Sequence, residues 1–430
     1  MPPRPSVSLV LCVHRANYHL CQIQCITTYR HWTGEGRPPL SFLCGPITSE
    51  KLMASWSFYF FLCYLLLSTL SISSVLTPNP GGGCFIKAIY SFGDSIADTG
   101  NLVRMGPSGL FNPVGYFPYG VSLKKKPTGR CSDGLLIIDY LAIALNLSLI
   151  NPYLDKKAKF DNGVNFAVAG ATALDESFFI SSDVVMPYAA SSIGAQLAWF
   201  KTHLSSVCST REECSKKLER TLFLLGEIGG NDYSFAFYQG KSIEDVATFV
   251  PQVIQKIVDS VKKVIEAGAI HIIVPGNFPI GCFPSNLEIY KDKASRVYDS
   301  NNCIKDLNAF SKLHNKKLQE ALQSLGQSYP QVSIMYSDYY EAFMTLIDNA
   351  SSLGFEESSL LKSCCGGGGL YNFDINMICG MPGTWPCSDP AKYISWDGIH
   401  LTQQAYKIMA QNLIQKFIYP LARAQEIWKC

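Results

Sequence analysis

"TLFLLGEIGGNDYSFAFYQGKSIEDVATFVPQVIQKIVDSVKKVIEAGAIHIIVPG", Thr221 to Gly276, places two apolar runs at the ends of one amphipathic stretch. Thr221–Ile228 and Ala269–Gly276 are rich in β-formers with little polar alternation, the pattern of strands buried on both faces. Between them Val246, Val250, Val253, Ile254, Ile257, Val258, Val261, Val264 and Ile265 recur at intervals of three and four, which predicts a helix. Ser242 suits its N-cap and Gly268 its C′ position. A strand, a helix and a strand in this order form a crossover unit, which joins parallel strands. "FIKAIYSF", Phe85 to Phe92, and "VSIMYSDY", Val332 to Tyr339, read as further strands, and helices are predicted over 304–325 and 403–417. The expected fold class is α/β with a central parallel sheet.

In such a sheet the functional site lies beyond the carboxyl ends of the strands. "YSFGDSIADTGN", Tyr90 to Asn101, brings Ser95 there, a few residues after the first strand. Three readings compete for this segment: a nucleophilic serine, one half of an aspartic protease through Asp98-Thr99-Gly100, or a capped helix start. The protease needs a second Asp-Thr/Ser-Gly triplet or a homodimer, and no second triplet exists in the chain. Gly229-Gly230-Asn231-Asp232 follows its own strand in the same way. Asp397 and His400, in "SWDGIHLT", stand just before the last helix. A serine, a histidine and an aspartate that meet at one sheet edge suit nucleophilic acyl transfer. Imidazole can take the serine proton near neutral pH, and a carboxylate on its other nitrogen holds the required tautomer. His314 lies by an apolar helix stripe and reads as structural. "CCGGGG", Cys364 to Gly369, lacks the Gly-Lys-Ser/Thr of a phosphate loop and reads as a flexible loop.

The 430 residues carry 36 basic and 34 acidic side chains, with no basic face that would suit nucleic acid. Lys124-Lys125-Lys126 reads as a solvated loop. Residues 1–52 have no domain-like pattern and read as a leader absent from the mature protein. Residues 53–76 begin at Met53 and continue through an apolar run and small residues, the order of a secretory signal. A signal anchor is the alternative, although the run is shorter than the ~20 residues of a bilayer span. Residues 77–430 then form one domain with no membrane span. Export suits the cysteines, of which the chain has 16, and the sequons at Asn146 and Asn349. Cys208 with Cys214, and Cys282 with Cys303, each enclose a stretch that reads as loop, so these pairs are expected as disulfides. Cys364, Cys365, Cys379 and Cys387 are expected to hold at least one more bridge. The second enclosed loop starts just after a strand and is expected to wall the substrate pocket. No His/Cys spacing suits a metal site, and no cofactor motif is present.

Four stretches, in order, resemble the conserved blocks of the GDSL esterase/lipase family, the SGNH hydrolases. They are "FGDSIADTGN", "NFAVAGATAL" (Asn165 to Leu174), "GEIGGNDY" (Gly226 to Tyr233) and "WDGIHLT" (Trp396 to Thr402). The resemblance implies a flavodoxin-like three-layer α/β/α sandwich. It implies Ser95 as nucleophile, His400 as base and Asp397 as its orienting partner. The oxyanion hole implied is the backbone N–H of Ser95, that of Gly170 and the amide of Asn231. "KPTGRCSDG" (Lys126 to Gly134), "SIGAQLAWF" (Ser192 to Phe200) and "CCGGGGLYNF" are similar to the plant branch of sinapine and acetylajmaline-type esterases. That implies a secreted enzyme of the apoplast, cell wall or vacuole acting on small-molecule or lipid esters without a cofactor. A binding protein that kept the fold but lost turnover is the alternative.

Overall fold

A computed structural model describes residues 86–106, 112–186, 191–292 and 297–418, all within a compact unit spanning Thr77–Cys430. The readings of residues 1–52 and of the 53–76 signal therefore lie outside the described residues. Five strands make the main sheet: β1 Ala88–Phe92, β2 Gly163–Asn165, β3 Thr221–Leu225, β4 His271–Pro275 and β5 Ser333–Ser337. Their order is β2-β1-β3-β4-β5 and every pairing is parallel. β1, β3 and β4 are almost entirely buried, as their unbroken apolar runs require, whereas the edge strand β5 is half-buried.

Handedness then sorts the helices into layers. From β1 the chain steps outward to β2, and from β2 it crosses back over β1 to β3 and continues the same way to β5. Right-handed crossovers put the first connection on one face and all later ones on the other. The contacts divide accordingly. Val250–Ala267 packs on Lys305–Ser328 and Ile193–Val207, whereas Gln403–Leu413 packs on Ile137–Ala144 and Tyr339–Asp348. The result is the α/β/α sandwich in flavodoxin-like strand order. The chain reverses its lateral direction between β1 and β3, so the crevice beyond their carboxyl ends is the switch point where such folds bind ligands.

Several elements depart from the sequence expectation. The helix expected from Ser242 to Gly268 is two helices. Ser242 Oγ accepts from Asp245 N at 3.1 Å and caps only Ile243–Ala247. Pro251, with no N–H to donate, sits in the first turn of a new helix, Val250–Ala267, where none is needed. Gly268 ends that helix at φ +116°, in the left-handed region expected of it. β2 has three residues, too few to leave a pattern. The last helix runs Gln403–Leu413 and continues as a wider π-helical turn to Ile418.

Cys208 is joined to Cys214 and Cys282 to Cys303. Neither enclosed stretch is the bare loop expected. Cys214 lies in the helix Arg211–Leu218, started by a capping box between Thr210 and Glu213, and Pro284–Tyr290 is a helix inside the larger loop. Cys364–Cys387 and Cys365–Cys379 tie down the glycine-rich stretch, which also pairs Cys365–Gly366 with Trp385–Pro386 as a short antiparallel ladder. Cys131 is a buried free thiol.

The turn after β1 is built around Asp98. Its carboxylate accepts from Gly100 N (2.7 Å), Asn101 N (2.6 Å), Leu102 N (3.0 Å) and, across the sheet end, Ala169 N (2.9 Å). Asn101 extends the same weave, donating to Asn165 O and Ala167 O, both at 2.8 Å, and accepting from Leu154 N at 2.9 Å. Asp98 is fully buried. Losing a partner inside a protein costs ~1–3 kcal/mol per orphaned group. Asp98→Ala is therefore expected to lower unfolding stability by more than about 3 kcal/mol, read from the urea midpoint of the purified protein, because it strands four N–H groups.

Candidate active site

Ser95 follows β1 by three residues and is buried at 7% exposure, in the turn that Asp98 shapes. Gly93, just before it, is clamped from above. Gly93 N donates to Gln196 Oε1 at 2.9 Å and Gln196 Nε2 returns a bond to Gly93 O at 2.7 Å. A Cβ at Gly93 would lie 2.8 Å from Glu227 O, so only glycine lets β1 and β3 end this close together. Gln196 comes from the plant-like stretch "SIGAQLAWF", which therefore braces the site turn.

Asn231 opens the helix Gly230–Tyr238 beyond β3. Its Nδ2 donates to Asp94 Oδ2 at 3.1 Å and to Ala171 O at 2.9 Å, so both amide hydrogens have acceptors. The neighbouring Asp232 points the other way, taking Ala173 N (2.8 Å) and Leu174 N (2.9 Å) on its two oxygens. The block of residues 165–174 is thus tied to the first block by Asp98 and to the third by Asp232. Gly170 lies between those ties at φ +81°, a left-handed conformation that glycine adopts without strain.

His400 and Asp397 share one tight turn. His400 Nδ1 lies 2.7 Å from Asp397 Oδ2, and Asp397 Oδ1 accepts from His400 N at 2.9 Å and Ile399 N at 3.1 Å. Tyr119 adds an O–H bond to Asp397 Oδ2 at 2.8 Å and packs edge-on against Trp396. Burial alone would lower the His400 pKa, but the carboxylate of Asp397, helped by the charge of Asp94, raises it above the ordinary histidine value. For Asp397 burial works upward, and His400 with the hydrogen bonds around the carboxylate overrides it, so the net shift is downward.

The turn of Asp397 and His400 is held from two sides. Ser132 Oγ donates to Leu401 O at 3.0 Å and Asp133 Oδ1 accepts from Gln403 N at 2.6 Å. Both belong to "KPTGRCSDG", anchored in turn by the buried bidentate pair of Arg130 with Asp139, at 2.7 and 2.8 Å. On the other side Ser285 N, in the helix inside the Cys282–Cys303 loop, donates to Gly398 O at 3.1 Å. That loop therefore abuts the site, although through a helix. His314, read as structural, is wholly buried against the Tyr233 hydroxyl at 2.8 Å, and burial lowers it to about 3.

Four contributors escaped the sequence reading. Asp94, in the serine turn, holds Asn231. Tyr119 and Gln196 lie far from any block, and Glu227, buried beside Asp94, looked like a strand end. Only Glu227 and Asp94 left a signal, since charged residues next to buried strands need a partner. Among the described residues no cluster of three or more His, Cys, Asp or Glu side chains is placed to hold a metal ion, and no helix is long and apolar enough to cross a membrane.

Residues 89–413 match the GDSL-like Lipase/Acylhydrolase family. Acetylajmalan esterase of Rauvolfia serpentina is 46% identical over 338 residues, covering 79% of this chain and 87% of that protein. A GDSL esterase/lipase of Arabidopsis thaliana is 40% identical over 370 residues, covering 85% and 93%. The solved phospholipase A1 of Streptomyces albidoflavus NA297 aligns with 76% of this chain and 99% of its own at 13% identity and a TM-score of 0.35, too loose to bear on the chemistry. The chain belongs to the GDSL-like lipase/acylhydrolase family, whose members hydrolyse ester bonds.

Proposed function

We propose that this protein is a secreted serine esterase that cleaves carboxylic esters of small molecules or lipids through an acyl-enzyme. The observation that carries the reading is the 2.7 Å contact between His400 Nδ1 and Asp397 Oδ2. With Nδ1 occupied by the carboxylate, Nε2 is the nitrogen free to take a proton. In the proposed reaction Ser95 Oγ attacks the ester carbonyl while its proton passes to His400 Nε2. The tetrahedral oxyanion collapses, the C–O bond to the alcohol breaks, and the imidazolium returns the proton to the departing alkoxide. Water, deprotonated by the same nitrogen, then hydrolyses the acyl-serine. Asp397 stays ionised throughout, as its lowered pKa favours. The backbone N–H of Ser95, that of Gly170 and the amide of Asn231 would receive the oxyanion. The Asn231 hydrogen now directed at Asp94 would then be shared with it or drawn over to it.

The names of the relatives favour small acyl esters of plant metabolites, with acetyl esters first. Export is supported by the four disulfides among the described residues, since disulfides persist in oxidising compartments, and by the exposure of Asn146 and Asn349, as glycosylation needs. The rival, a binding protein without turnover, would leave Ser95 unreactive.

Ser95→Ala is expected to abolish hydrolysis of acetyl esters while leaving the unfolding transition unchanged. Wild-type protein should label with a phosphonate at Ser95; retained turnover in the variant, or no labelling, removes the proposal. The base works as neutral imidazole, so activity is present above the His400 pKa and lost as pH falls through it. Because that pKa is raised, the acid limb of kcat/KM should have its midpoint above the ~6.5 of free histidine. Asp397→Asn should cost less than His400→Ala in kcat, since a misoriented imidazole retains some basicity; the opposite ranking means their roles are exchanged.

A further inference from the structure

Glu227 lies two residues beyond β3 at 4% exposure, and its carboxyl hydrogen-bonds that of Asp94, itself 3% exposed. The two strand ends are joined again by Asp94 N donating to Glu227 O at 3.0 Å. Two carboxyl groups in such contact, away from water, cannot both ionise, so one proton lies between them. The neighbours decide where. Asp94 accepts from Ile96 N at 2.9 Å and from Asn231 Nδ2 at 3.1 Å, and the charge of His400 favours its ionised form. Glu227 Oε1 accepts a longer bond, 3.2 Å, from Gly230 N, and the charge of Asp232 opposes a second anion there. The negative charge therefore settles on Asp94 and the proton on Glu227.

Resting on the serine-esterase reading, we propose that Glu227 is a positioning residue of the active site. As a neutral acid it donates to Asp94 and accepts from Gly230, and through these two bonds it fixes the Asn231 amide as an oxyanion donor. Gly230 begins the helix that carries Asn231, and Asp94 holds the Asn231 amide, so Glu227 grips the donor at its backbone and at its head group. The alternative is a buried acid that merely fills space, for which an apolar residue of similar size would serve as well.

Glutamine separates the two, because it offers an N–H to Asp94 and an oxygen to Gly230 without a proton to lose. With purified full-length protein and p-nitrophenyl acetate, Glu227→Leu is expected to lower kcat by about tenfold or more, with KM within about twofold, since losing an oxyanion donor outright costs ~10²–10³. Glu227→Gln should recover kcat to within about threefold of wild type. In an Asn231→Ala background Glu227→Leu should change kcat by less than about twofold, because the residue it positions is gone. A Gln variant as impaired as Leu, or a Leu effect that persists without Asn231, overturns the inference. Infrared difference spectra at pH 7 read the proton directly, even where the Leu variant does not fold. Glu227→Gln should lose a neutral-carboxyl carbonyl band, and a spectrum with none lost overturns the inference on its own. A wild-type protein that neither turns over nor labels at Ser95 instead removes the esterase reading, an outcome distinct from either of these.

Discussion

Backbone N–H groups at the ends of parallel strands have no ladder partners, and here buried carboxylates take them up. Asp98 gathers four, Asp232 two and Asp397 two, so three aspartates organise three loops that are remote in sequence. A carboxylate suits the task because it is acceptor-only and has room for about four hydrogen bonds on two oxygens. The cost is burial of charge, visible in the upward pKa shifts of Asp98 and Asp232, which burial drives despite the backbone donors. The loops are thereby fixed before any substrate arrives, which is what electrostatic stabilisation of a transition state demands.

The same economy explains why the sheet order matters. β1 and β3 are neighbours with Phe92 opposite Leu225, so their ends emerge level with each other. Ser95 and Asn231 are carried to one crevice by strand register alone. The histidine turn arrives from the far end of the chain and is located by the Ser132, Asp133 and Ser285 contacts. Stretches similar to the plant branch turn out to brace the candidate site, since Gln196 grips Gly93 and residues 130–133 grip the start of the last helix. Their resemblance therefore speaks to scaffold more than to substrate choice.

Periodicity made the sheet legible. Unbroken apolar runs marked β1, β3, β4 and β5, and the three-and-four repeat marked Val250–Ala267. Pro251 inside that repeat was the missed clue to two helices, and β2 was too short to announce itself. The candidate site was legible where chemistry and position coincide in a local motif, as with Asp397 and His400 three residues apart. Tyr119 was not, because its partner is 278 residues away and nothing in a tyrosine's neighbourhood announces so distant a bond. Asp94 was not legible either, because its hold on Asn231 depends on the pairing of β1 with β3.

The contacts that seat His400 have a consequence for synthesis. Ser132 and Leu401 are 269 residues apart, and Asp133 and Gln403 are 270, whereas the four disulfides among the described residues close spans of 6 to 23 residues. Each bridge can form as its own segment emerges, with little opportunity for mispairing over long distances. His400, the base of the proposed reaction, cannot be seated until almost the whole chain has been made and residues 130–133 are waiting for it. A nascent or truncated chain would thus carry the serine turn and much of the oxidised framework but no seated His400. Chemical competence would come last, after the scaffold around it had closed.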